Sequence, residues 1–452
     1  MKFDTKSIRK GPIFKNVVIY TIPIILTSIL QLLFNAADLI VVGWFCGSDS
    51  VAAVGATSSL TNLIVNLFIG LSVGAGVAVA QGVGSGNDEN TSAAVHTAVP
   101  VAAISGLILT VVGVLFSEPM LRLMGTPDGK LLSLSSIYMR IYFCGIIFSM
   151  LYNFGSAVLR AVGDTRSPLI FLTIAGVLNV VLNIVFVAAF KMDVAGVALA
   201  TSISQAVSAV LVLLALMKRN DSCKLIIKNI KIHKRALAKM VKIGLPAGLQ
   251  GSLFSISNVL IQSSVNSFGN AAMSGAAAAS SIEGFCYVSM NSFHQTALNF
   301  CGQNYGAGDI KRVKKITWIC LATVAAVGLI VGNVFYLFGK NLLGIYITDS
   351  PEAIAYGMER LKFMLIPYFL CGIMDTVTGS MRGIGSSVIP MVITVIGVCV
   401  MRVVWIYTVF AMPQYHSFSG LFISYPISWA LTFSAVLISF LIIIEQKAKA
   451  KN

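Results

Sequence analysis

Residues 159–168 read LRAVGDTRSP and residues 381–390 read MRGIGSSVIP. An arginine, a glycine three residues on and a proline five beyond that recur in one order, at an offset of about 222 residues. Working outward, Gln81, Gly84 and Gly86 reappear at the same spacing as Gln303, Gly306 and Gly308. Pro23 and Pro246, Gly47 and Gly269, and Gly196 and Gly420 keep that register within two residues. Agreement at so many separate points makes the chain two copies of one unit.

Both copies are apolar. Of the 452 residues 57% are hydrophobic and 11% charged, with a mean hydropathy of +0.87, a composition that suits a bilayer rather than water. Apolar segments fall at roughly 14–43, 52–81, 95–116, 134–158, 167–190, 195–217, 240–268, 274–300, 315–338, 356–380, 388–412 and 418–444. The expected fold is an all-α membrane protein with twelve transmembrane helices. Six per copy is an even number, so the two six-helix lobes share one orientation and are related by a pseudo-two-fold along the membrane normal, with a cavity between them. The boundaries read 1–217 for the first lobe, 218–239 for a basic cytoplasmic linker and 240–452 for the second lobe.

The net charge of +15 is spread over short segments that alternate between Lys/Arg-rich and Lys/Arg-poor. That is a topogenic pattern and excludes nucleic acid as the partner. Placing both termini inside assigns about 24 of the 32 Lys and Arg to the cytoplasm. The N-terminal basic stretch, Lys2 to Lys15, precedes an apolar run too long for a signal peptide, so it reads as a retained first helix. The eight cysteines follow no metal or disulfide spacing and read as small reduced hydrophobes. A multi-pass monomer in the plasma membrane is expected, with the lipid bilayer as its surroundings.

These residues resemble the multidrug and toxic compound extrusion (MATE) family, nearer its DinF-like and MepA-like branches than its NorM-like one. The resemblance is carried by the Pro23 helix with Ala37-Asp38 and Val42-Gly43, by Gln81 to Asn87 and Leu159 to Pro168, and by Gly302 to Asp309 and Met381 to Pro390. It implies a V-shaped pair of lobes, alternating access, and efflux driven by a Na⁺ or H⁺ gradient without a cofactor. Similar members place an acid in the first helix and a polar pair in the fifth, often with Asp at the second position. Asn183 stands there in this chain, one negative charge short, which speaks against Na⁺. NorM-like members carry an acid in the seventh helix where Phe254 and Ser255 stand here, so that branch's cation site does not transfer.

The residues give their own reading. A carboxylate near the bilayer centre costs about 2.5 to 3.5 kcal/mol on insertion scales, so an intramembrane acid marks a functional position. Asp38, Glu283 and Asp375 qualify. Asp38 joins Asn179, Asn183 and Thr201 as the cation-coupling candidates: one carboxylate with neutral oxygens suits Na⁺, and desolvation of the ionised form suits a proton carrier. The second copy supplies the substrate-cavity candidates Glu283, Tyr287, Asn291 and either His294 or Gln295, spaced as one helical stripe, together with Asp375 and Arg402. Arg402 is expected to pair with Asp375 or Glu283, leaving one surplus negative charge for a substrate cation or a proton. Phe34 and Met290 are expected as adaptable cavity walls for small organic cations.

No Gly-x-x-x-x-Gly-Lys-Ser/Thr loop occurs, so a gradient must drive transport. The alternative is a flippase or exporter of lipid-linked saccharide or another amphiphile on the same superfamily scaffold. Three intramembrane acids against one arginine favour cations over its pyrophosphate. A membrane enzyme is disfavoured because no His/Asp cluster has catalytic spacing.

Overall fold

The computed structural model describes residues 5–348 and 350–449, so Lys2 lies outside them. Among the described residues every regular element is helical. The long helices are α1 (Ile13–Phe45), α2 (Ser48–Ser85), α3 (Asp88–Leu123), α4 (Lys130–Ala161), α5 (Arg166–Asn183) and α6 (Asp193–Met217). The second half adds α7 (Lys234–Asn266), α8 (Asn270–Gly306) and α9 (Ile310–Leu337). Next comes α10, in two pieces (Pro351–Leu365 and Tyr368–Gly383) bent by 43°. In α11, Val388–Thr394 and Met401–Tyr407 flank a π-helical turn, and α12 is Ser424–Lys449.

Nine of these spans are long and apolar enough to cross a membrane, and the bent α10 makes a tenth. The other two, α7 and α8, have 33 and 37 residues, ample length at about 1.5 Å per residue. They are rich in Ser, Asn, Gln and Gly, which lowers their hydropathy. Counting them gives the twelve helices of the fold.

The repeated motif makes the same turn twice. Gly163 follows α4 with φ 98°, and Gly385 follows α10 with φ 87°. Each donates its N–H to the carbonyl of the motif arginine, Gly163 to Arg160 at 3.0 Å and Gly385 to Arg382 at 2.9 Å. A positive φ at a helix end is cheap for glycine alone, so the spelling of the repeat is the spelling of this cap.

The chain forms two compact units. One holds Ile22–Ser252; the other holds Ile8–Thr21 and the chain from Leu253 onward. The start of α1 therefore belongs with the second half, and the start of α7 with the first. In α1 the change falls beside Pro23, whose missing N–H removes a helical hydrogen bond.

Each transferred segment is held by its own chemistry. In the first unit, Gly70 and Gly74 of α2 meet Gly244 and Gly248 of α7 backbone to backbone. A Cβ on Gly248 would lie 2.1 Å from the Leu67 carbonyl oxygen, and one on Gly74 would lie 2.1 Å from that of Met240. Small residues at four-residue spacing let helices approach this closely. In the second unit the repeat-related positions are Thr296 and Thr21, whose hydroxyls bond at 2.8 Å beside an edge-on Tyr20–Phe300 contact.

Gly248→Ala cannot be accommodated without separating α2 from α7, at a cost of about 1–3 kcal/mol. We expect a thermal midpoint in detergent lower by several degrees. Gly55→Ala, in α2 with nothing within 4 Å of the new Cβ, should leave it unchanged or higher. Equal midpoints for the two variants would refute the crossing.

Candidate functional site

In the first unit, α1, α5 and α6 bring Asp38, Asn179, Asn183 and Thr201 together. Asn179 and Asn183 are one turn apart on α5, so their amides share a face. Asn183 is fully buried and donates through Nδ2 to Asp38 Oδ1 at 2.5 Å and to Asn179 Oδ1 at 3.3 Å. Thr201 Oγ1 donates to Asp38 Oδ2 at 3.4 Å and accepts from Asn179 Nδ2 at 3.3 Å. Among the described residues no Lys, Arg or His pairs with Asp38, so its charge is met by neutral dipoles only.

The cluster gathers one carboxylate and several neutral oxygens around a buried point. Asp38 supplies two carboxylate oxygens, Thr201 a hydroxyl, and Asn183 Oδ1 is buried without a hydrogen-bond partner. Oxygens of this kind suit a hard cation. The same amide can serve a proton, because an asparagine turned end for end accepts from a protonated carboxyl where before it donated to a carboxylate. Directly after Asn183 the helix loosens into a π-helical turn, Ile184–Ala189, a feature frequent at functional sites. Phe34, one turn before Asp38, packs its ring on Gly176 of α5, where a Cβ would fall 1.8 Å from a ring carbon. Its ring is half-buried, with one part packed against α5 beside this cluster.

The second unit departs from the sequence expectation. Arg402 pairs with neither Asp375 nor Glu283. Its guanidinium lies 3.7 Å above the Tyr425 ring and donates through Nε to Ser428 Oγ at 3.0 Å. Its Nη2 is buried without a hydrogen-bond partner. Glu283 instead takes a two-pronged pair from Arg360 of α10, at 2.8 Å and 2.9 Å, with the guanidinium also 5.0 Å from the Phe422 ring centre. Asp375 interacts electrostatically with Arg382, itself buried. Among the described residues this unit therefore buries two acids and three arginines, and the expected surplus of negative charge is not found among them.

The polar stripe on α8 is resolved residue by residue. Tyr287 is 40% exposed and accepts a bond from Asn291 at 3.5 Å, and Gln295 continues their face at partial exposure. His294 turns inward and bonds through Nδ1 to the Asp375 carbonyl at 2.8 Å. A carbonyl only accepts, so Nδ1 carries the proton. Met290 is fully buried, wedged where Gly328 and Gly372 leave room for its sulfur, so it is core and not wall. Arg360 was missed because its partner lies 77 positions away and no local spacing joins them; its place just inside the tenth apolar segment was the only signal.

The MatE family profile matches residues 23–185 and again residues 246–408. The chain belongs to the MatE family. The two matches start 223 residues apart (246 − 23), so each copy of the repeat is one MatE unit, and the chain is a membrane transporter rather than an enzyme. It is 30% identical over 397 residues to the probable multidrug resistance protein YpnP of Bacillus subtilis, covering 87% of each chain. It is 21% identical over 382 residues to the multidrug export protein MepA of Staphylococcus aureus, covering 84% of this chain and 83% of that one. Among solved structures it matches an outward-facing multidrug resistance MATE family transporter of the MOP superfamily, with TM-score 0.91, 22% identity and 99% coverage of both. A MOP superfamily transporter from Pyrococcus furiosus, described as having a binding pocket of reversed polarity, matches with TM-score 0.90, 21% identity and 98% coverage of both. These structural likenesses establish the MatE fold.

The buried Glu283–Arg360 pair makes a direct prediction. Removing one partner strands a charge, so Arg360→Met should destabilise the protein by about 3–5 kcal/mol. Adding Glu283→Leu should recover most of that loss in a chemical or thermal unfolding series. Additive losses in the double variant would show that the two side chains do not act as a pair.

Proposed function

We propose that this MatE protein is a secondary active antiporter that exports small organic, largely cationic compounds in exchange for H⁺ or Na⁺ by alternating access. The observation that carries the reading is the Asp38 carboxylate, held by Asn183 and Thr201 with no cationic partner among the described residues. An ionised acid so placed in a membrane span is tolerated when a cation visits it. A proton, a Na⁺ ion and an organic cation can each neutralise it, and they exclude one another. Mutual exclusion at one carboxylate couples the exit of one to the entry of another. The names of its relatives, a probable multidrug resistance protein and a multidrug export protein, agree with this reading.

On this reading the two halves act as lobes, 1–217 and 240–452, joined by the linker at 218–239. The charge asymmetry puts both termini in the cytoplasm of a plasma-membrane protein that works as a monomer. Tyr287, Asn291 and Gln295 are the second unit's candidates for touching substrate. The rival reading, export of an amphiphile with an anionic group, draws on Arg402, whose Nη2 is buried without a hydrogen-bond partner.

Ethidium efflux from everted vesicles, with Na⁺ and pH gradients imposed separately, tests the proposal. Wild type should respond to one gradient, and Asp38→Asn should lose at least about tenfold of the gradient-driven rate. Full-speed efflux by Asp38→Asn overturns the coupling role. If Arg402→Gln abolishes transport while Asp38→Asn does not, the amphiphile reading takes its place.

A further inference from the structure

A cleft of about 920 Å³ opens inside the first unit, between the end of α2, the start of α3, the linker and the start of α7. Its lining carries Lys228, Lys231, Lys234, Arg235 and Lys239 against one carboxylate, Glu89. The proposed antiport makes no use of it. Two of the cations, Lys234 and Arg235, stand at the first residues of α7, a helix with no acid in its first turn. Cations there oppose the positive end of the helix dipole, so the cleft concentrates like charge where an anion relieves it.

The basic side chains are presented on a fixed scaffold. His96 of α3 bonds through Nδ1 to the Ser92 carbonyl at 2.8 Å, which leaves Nε2 to accept the Ile226 N–H at 3.0 Å. Thr97 Oγ1 accepts the His233 N–H at 3.1 Å. The linker is thus pinned to α3 on both sides of Lys228 and Lys231, and both anchoring side chains are buried. Pre-organised donors bind an anion without first paying to order it.

A second, independent feature identifies the anion's source. Ile226, Ile227 and Ile232, interleaved with these lysines, are 42%, 64% and 43% exposed. Apolar side chains held outward next to lysines are the signature of a segment lying at the lipid headgroup level. We propose that the cleft is a binding site for the phosphodiester headgroup of an anionic phospholipid. The phosphate lies among Lys228, Lys231, Lys234 and Arg235, and the acyl chains run beside the exposed isoleucines.

Native mass spectrometry of the detergent-purified full chain, titrated with phosphatidylglycerol or phosphatidylcholine, tests this. Wild type should retain phosphatidylglycerol preferentially. Lys228→Gln, Lys231→Gln and Lys234→Gln combined should lose at least about tenfold in retention, with a thermal midpoint in lipid-free detergent matching wild type. The corresponding triple arginine variant should keep it, and Glu89→Gln should strengthen it. Lys311→Gln, Lys314→Gln and Lys315→Gln combined, outside the cleft, should leave it unchanged. Equal loss in the two glutamine triples would mean diffuse charge attraction and overturn the site. Equal retention of the two lipids overturns it as well. Displacement of phosphatidylglycerol by millimolar inorganic phosphate would assign the cleft to a soluble phosphate and overturn the lipid.

Discussion

An ionised carboxylate in a membrane span is the interaction on which the rest of this molecule turns. The fold treats the three acids singled out by the sequence, Asp38, Glu283 and Asp375, differently. Glu283 is fastened to Arg360 by two short bonds, and Asp375 shares its surroundings with Arg382. Asp38 receives only an amide and a hydroxyl. A buried charge paired with an opposite one is compensated within the protein, whereas one met by neutral dipoles is compensated less fully. The interior acids of the second unit thus meet arginines, and Asp38 of the first meets an amide and a hydroxyl.

Duplication explains how one backbone supports both. The two MatE matches keep a constant register, and the capping glycines Gly163 and Gly385 repeat the same turn. The side chains between these fixed points have diverged. The crossing that joins α7 to the first unit is a glycine seam, and its counterpart for α1 in the second unit is a threonine pair. Both halves contain a π-helical turn, but one follows Asn183 and the other precedes Arg402, so each half loosens its helix at a different register. Backbone geometry has been kept where turns and close approaches demand it, and chemistry has moved elsewhere.

Much of the fold was legible because hydropathy and glycine spacing report on local requirements. Twelve apolar segments and the repeat at residues 159–168 and 381–390 are enough to define twelve helices in two halves. The grouping of Asp38 with Asn179, Asn183 and Thr201 was also legible, since one turn of α5 sets the first pair and polarity in an apolar span marks the others. The partners of the second unit were not. Arg360 and Glu283 lie on helices whose contact depends on tertiary packing, and Arg382 stands in a repeated turn motif whose spelling says nothing of Asp375. Arg402 finds an aromatic face in Tyr425, a contact that formal charge counting does not consider. The inward turn of Met290 depends on Gly328 and Gly372 in neighbouring helices, which no pattern within α8 records.

The central claim is that organic cation and coupling ion compete for the carboxylate of Asp38. Equilibrium binding of ethidium to the purified protein, measured across pH and across Na⁺ concentration, tests it most directly. The account predicts that one of the two ions weakens ethidium binding competitively in wild type and that the dependence vanishes in Asp38→Asn. Wild-type affinity indifferent to both ions, or the same dependence surviving in Asp38→Asn, would contradict it.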